Sequence, residues 1–177
     1  MEQILKLLIG MLLLVVEPLS AQSEWNITTE KYSGNEYIIK KSQYIHAITN
    51  KKYDFKKDVT CDIEFDGETE KEFDARRQPL CQKIYDVANG VFNFSNIPVS
   101  RDELNDLTLV CYFNSATKNY IGCKFIFNAE VKDYFTLKKL NLLENNLLKA
   151  NINAGRTNLL DPNDKYFTIS VGMRIGN

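Results

Sequence analysis

The residues best equipped for covalent chemistry are four cysteines, Cys61, Cys81, Cys111 and Cys123, all in the middle of the chain. An even set in an exported protein reads first as disulfides. The local pattern suggests a pairing. Leu107, Leu109, Cys111 and Phe113 alternate with Thr108, Val110 and Tyr112, and beyond a polar stretch at 114–119, Ile121, Cys123, Phe125 and Phe127 share one face. Folding this hairpin about Thr117 sets Cys111 opposite Cys123 on the apolar side. That predicts a Cys111–Cys123 bridge and, by elimination, a Cys61–Cys81 bridge. The rival arrangement joins each cysteine to a different strand. Zinc is disfavoured, because the spacings are long and the single histidine, His46, is distant in sequence.

Other chemistry is harder to assemble. His46 has no G-x-S-x-G serine to partner it, and no thiol stays free once two disulfides form. P-loop, G-x-G-x-x-G and H-E-x-x-H motifs are absent from the sequence. Paired carboxylates are the one hydrolytic scheme left open, since acids are plentiful. The stretch Asp161-Pro162-Asn163-Asp164 lacks the remaining ligands of a calcium loop and reads as a turn. The expectation is a chain with no catalytic residues, no metal and no cofactor. Arg76-Arg77 resembles a dibasic processing site. Two sequons, at Asn26 and Asn93, are candidate glycosylation sites.

These residues need a scaffold, and the pattern points to strands. Val59, Cys61, Ile63 and Phe65 alternate with polar neighbours up to the turn at Asp66-Gly67. Lys83–Ala88 and Val91–Ser95 flank Asn89-Gly90, a strong hairpin signal that would put Asn93 on the solvent side. Lys165–Ile175 carries Phe167, Ile169, Val171, Met173 and Ile175 on one face, and Glu36–Ile48 holds one or two more strands. Only Leu137–Ala150 has a helical stripe, in Leu140, Leu143, Leu147 and Ala150, although 134–142 reads alternatively as a strand. Residues 151–164 read as a loop. Short strands around a cysteine-stapled centre predict a mainly β protein, a disulfide-stapled antiparallel β-sandwich with at most one short helix.

The chain has 177 residues, with 22 Lys and Arg against 23 Asp and Glu. That near-balance argues against a nucleic-acid binder. Residues 1–23 read as a signal peptide: a charged start, the apolar run Leu7–Val16, then Ala21-Gln22-Ser23 with cleavage after Ser23, or alternatively after Ala21. Nothing beyond it is long and apolar enough to span a membrane. The expectation is one secreted, extracellular domain over 24–177. Its charge is uneven: seven lysines against Glu36 and Asp54 from Lys31 to Lys57, then seven acids against Lys71 from Asp62 to Asp74. The plain reading is a charged sheet edge that resists pairing. The sharper reading sets the lysines against anionic lipid or glycan, or the acids against a basic partner.

The central block resembles the nematode transthyretin-like family over roughly 59–142. Val59-Thr60-Cys61 is similar to its first cysteine strand, Asn89-Gly90-Val91-Phe92-Asn93-Phe94 to its turn and strand, Cys111 and Cys123 to its cysteine pair, and Leu140-Asn141-Leu142 to its closing strand. Val110 stands where the family usually has histidine, and Cys81 and both terminal extensions are additions. The resemblance implies an exported β-sandwich that binds a lipid or apolar ligand without catalysis.

Function is therefore expected to be extracellular, non-enzymatic binding of a lipid, an apolar ligand or a cell-surface partner, whether protein or glycan. The alternative is a secreted effector, such as a venom, salivary or defence protein, acting on a host target.

Overall fold

The computed structural model describes residues 25–55, 59–61, 67–97, 107–157, 159 and 161–175. The expected signal peptide, its cleavage site and Asp62–Asp66 lie outside these residues. Seven strands form one sheet: β1 (Asn26–Tyr32), β2 (Asn35–Lys41), β3 (Ile45–Asn50), β4 (Val59–Cys61), β5 (Leu107–Asn114), β6 (Tyr120–Asn128) and β7 (Tyr166–Met173). Their order is β1-β2-β3-β6-β5-β7-β4, and every pairing is antiparallel except that of β4 with β7. Two helices, α1 (Glu70–Phe92) and α2 (Leu137–Lys149), fill one face.

The β-sandwich expectation is thereby overturned. Alternation correctly marks one buried face on β5, β6 and β7, but helices cover that face where a second sheet was expected. Tyr37, Ile39, Ile48, Leu109, Phe125 and Val171 from the sheet join Ile84, Ala88, Leu140, Leu143 and Leu147 from the helices in one core. Each large apolar side chain buried there contributes about 1.5–3 kcal/mol.

The expected hairpin at Asn89-Gly90 is also corrected: both residues lie in α1. Thr69 starts that helix with a full capping box, its hydroxyl accepting from the Glu72 amide while the Glu72 carboxylate accepts from the Thr69 amide. Phe73, Leu80, Ile84, Ala88 and Phe92 then form a buried stripe of helical spacing. The helix runs on through Pro79 and stops at Asn93, whose left-handed backbone (φ 53°) ends it. Asn89 does act at this reversal, its side-chain oxygen accepting the Phe94 amide at 3.0 Å. Of the two readings of this stretch the helix holds, over Leu137–Lys149, so neither the alternative strand at 134–142 nor the one implied at Leu140-Asn141-Leu142 is present.

Two turns secure the hairpins. Ser33 and Gly34 both have positive φ, the backbone of a two-residue turn that matches strand twist. Between β5 and β6 the Asn114 side chain accepts the Ala116 and Thr117 amides. The register shifts between Tyr112 and Phe113, so Tyr120 takes the buried position expected for Ile121.

Candidate functional site

The cysteines do not form the expected staples; all four are free thiols. Cys111 does face Cys123 across β5 and β6, as the hairpin register requires. Directly opposed side chains on neighbouring strands stand about 4.5–5.5 Å apart at Cβ, whereas a bridge draws them to about 3.8 Å. Both sulfurs instead pack as small apolar groups in the core. Burial pushes both thiols up, Cys123 well above its ordinary value, with Cys81 adding to the effect on Cys111 and Cys111 to that on Cys123. Cys61 pairs in register with Thr168, whose hydroxyl donates to its sulfur at 3.7 Å. Thr168 alternates with the core residues Phe167 and Ile169, so Cys61 lies on the outer side of the sheet. Cys81 sits on α1 against the core, so the pairing of Cys61 with Cys81 fails.

Asn26 and Asn93 are both exposed, one at the start of β1 and the other at the end of α1. Arg76 of the dibasic pair is held by Glu68 at 2.9 Å and donates to the Arg156 carbonyl. Asp161-Pro162-Asn163-Asp164 is a turn, with the Asp161 carboxylate accepting the Asn163 amide. Among the described residues no group of His, Cys, Asp and Glu is placed to hold a metal ion.

His46, an ordinary residue by sequence, lines a cavity of about 180 Å³ at one end of the core. Three strands reach it. Lys41 and Ile39 come from β2, His46 and Ile48 from β3, and Phe127 from β6. Lys41 pairs with His46 and His46 with Phe127, so the three form one cross-strand row. Lys132 enters from the turn Ala129–Tyr134, and Phe135 and Leu137 close the cavity where α2 begins. The floor is apolar: the Phe127 ring lies 4.9 Å from that of Phe135 and 5.7 Å from that of His46.

The rim is cationic. Burial lowers the proton affinity of His46, and Lys41 and Lys132 lower it further by repulsion. Thr136 caps α2 without a side-chain hydrogen bond to the amides that open this helix. Two lysines and a histidine thus meet over a greasy floor, which suits an anion carrying an apolar group. A cavity of about 150 Å³ lined by Leu, Ile and Phe can hold a benzene ring, so this one has room for a single ring or a short branched chain. The run of lysines in the sequence hinted at the rim. Phe135 and Leu137 gave no signal, because their place depends on how α2 joins the sheet.

A second polar group was missed. Glu144 is 1% exposed and accepts from the Asn50 amide at 3.0 Å, with no partner for its other oxygen. Burial raises its proton affinity, while the hydrogen bond from Asn50 and the charge of Lys52 partly offset this. Asn141, one helical turn before it, donates to the Tyr37 hydroxyl at 3.2 Å. Its spacing of four from Leu140 puts Glu144 on the buried stripe, and that was its only signal.

No family model and no curated protein matches this chain. Among solved structures it is similar to a DUF5043 family protein from Bacteroides uniformis ATCC 8492, at 11% identity over 86% of each chain with a TM-score of 0.54. At that identity the likeness shows a shared fold.

Proposed function

We propose that the protein is a secreted, extracellular, non-enzymatic binding protein, and that its ligand is a small anion carrying an apolar group. The observation that carries this reading is the convergence of Lys41, His46 and Lys132 on a cavity floored by Ile39, Ile48, Phe127 and Phe135. Cationic groups at the mouth and aromatic rings beneath them sort a ligand by both of its ends. The expected leader and the exposed sequons support export; N-terminal sequencing of protein from its source should begin at Glu24.

Calorimetric titration with benzoate and hexanoate, set against benzyl alcohol and hexanol, tests the ligand class. The acids should bind, and each alcohol should bind at least about tenfold more weakly, as expected when a charge-assisted contact is lost. Lys41→Ala and Lys132→Ala should each weaken the acids about tenfold and leave the alcohols unchanged. Equal binding of acid and alcohol, or none of either, would overturn the proposal.

A further inference from the structure

Four of the six large apolar side chains that stand exposed among the described residues gather at one corner of the sheet. They are Trp25 (45% exposed), Ile27 (59%), Tyr44 (68%) and Ile45 (38%). The register shows why they meet. Asn26 pairs with Lys41 and Ile27 with Lys40, while Lys41 pairs with His46. The turn between β2 and β3, which carries Tyr44, therefore lies beside the start of β1, which follows Trp25. Ile45 opens β3 opposite Asn128, and the Tyr44 carbonyl accepts the Ala129 amide. Ile27, Lys40 and Ala47 form one cross-strand row on the outer face, away from the helices.

The corner has the chemistry of a membrane interface. A tryptophan and a tyrosine project beside two isoleucines, and amphipathic aromatic rings are the side chains that settle at headgroup level. Lys40 shares their outer-face row, and Lys41 and Lys132 stand on the cavity side of the same end, Lys132 on a turn that also carries Glu130 and Asp133. The charges acting on His46 at this end of the sheet, Lys41 and Lys132, are both positive. Exposed apolar groups framed by lysine complement the headgroups of an anionic leaflet. Asn26 alternates to the opposite side of β1 from Ile27, so a glycan there would hang from the other face of the strand.

We infer that this corner docks the protein onto an anionic lipid bilayer, with Trp25 and Tyr44 entering the interface and Lys40 meeting the headgroups. The surface is distinct from the cavity, since neither Trp25 nor Tyr44 lines it. The two lie at the same end of the molecule, so docking would bring the cavity mouth close to the lipid.

Trp25 is the single tryptophan in the chain, so its emission reports on this corner directly. The test is to titrate the mature protein with vesicles of phosphatidylcholine, with and without phosphatidylserine, following both sedimentation and tryptophan emission. Binding should require phosphatidylserine and weaken with salt. It should shift Trp25 emission to the blue, with quenching by brominated acyl chains. Tyr44→Ala and Lys40→Ala should each weaken binding about fivefold, roughly the effect of one interfacial lysine. Tyr44→Ala should leave benzoate affinity unaltered, so loss of vesicle binding and loss of the cavity ligand are separable results. Failure to sediment with phosphatidylserine vesicles would overturn the inference. So would equal binding to neutral vesicles, or binding with unchanged Trp25 emission, the pattern expected if the corner serves a protein partner.

Discussion

The two faces of this one sheet follow different rules. The face under the helices is almost wholly apolar, from Ile39 and Ile48 through Phe125 and Leu109 to Val171. Asn50 is a buried polar exception that donates to Glu144 of α2, and Lys41 and His46 interrupt the face at its cavity end. The outer face mixes half-buried Ile38, Lys40, Lys124, Val110 and Thr168 with exposed Ser170. Its main cover among the described residues is aromatic: Tyr53 lies on Gly122, and Phe55 packs edge-on to Tyr112 and stacks on Tyr166 with centroids 4.2 Å apart. One face excludes water, and the other leaves side chains free to meet partners.

Thiol reactivity should expose this contrast most strongly. Cys61 is exposed on the outer side, Cys81 is half-buried on α1, and Cys111 and Cys123 are buried with their thiols held protonated. Because the thiolate is the reactive form, Cys61 should label first and Cys81 more slowly. Cys111 and Cys123 should label only on global unfolding, slower by several orders of magnitude. Peptide mapping of a timed alkylation of the native protein checks the order. A Cys111–Cys123 bridge found in the native protein would contradict the free thiols described here.

The buried polar pair offers the next largest effect. Asn50→Ala removes the amide that donates to Glu144, leaving a buried carboxyl without that partner, and should cost about 2–3 kcal/mol in denaturant melts at neutral pH. Glu144→Gln should act in the opposite direction. The proton affinity of Glu144 is raised in the fold, so its contribution is fully present below the ordinary glutamate value of 4.5 and is lost as pH rises through the folded value. The neutral glutamine should therefore stabilise the protein at pH 7 and above, with little effect at pH 4. An unchanged difference across that range would mean that Glu144 is not the linked group.

These two faces also mark how far the sequence could be read. Alternation along β5, β6 and β7 revealed which side chains turn inward, and the Cys111–Cys123 register followed from hairpin geometry alone. Alternation says only that a face is covered. It does not say whether a sheet or a helix covers it, and here two helices do. The α1 segment was misread because Asn89-Gly90 is a strong local turn signal. The capping box at Thr69 and the Phe73-to-Phe92 stripe were the competing evidence, and burial of that stripe prevailed over local preference. The cavity was less legible still, because its residues come from β2, β3, β6 and the approach to α2, which only the fold brings together.

Gly122 tests the outer face by itself. A Cβ at this position would run into the Tyr53 ring, a rigid side chain lying directly on it. Gly122→Ala should displace Tyr53 and cost about 1–3 kcal/mol, as overpacking usually does. Most of that loss should vanish in a Tyr53→Ala background, a coupling that a double-mutant cycle on thermal or urea melts would reveal.

The smallest effect concerns His46, at the open end of the helix face. Its depressed proton affinity makes it neutral near pH 7, and the stability it contributes above pH 6.5 declines as pH falls through the folded value. A ligand anion would reverse the local field. Lys41 and Lys132 repel the imidazole proton, whereas a carboxylate or sulfonate seated between them would attract it. Binding should then take up a fraction of a proton, so affinity should rise as pH falls below about 6.5, by at most about tenfold per unit for one linked group. Benzenesulfonate is the suitable probe, because it stays charged throughout and cannot supply the pH dependence itself. Unliganded stability and ligand affinity should therefore move in opposite directions over the same interval, and His46→Asn should flatten both. An affinity for benzenesulfonate that holds constant between pH 5 and 7 would remove His46 from the rim and leave the anion to the two lysines.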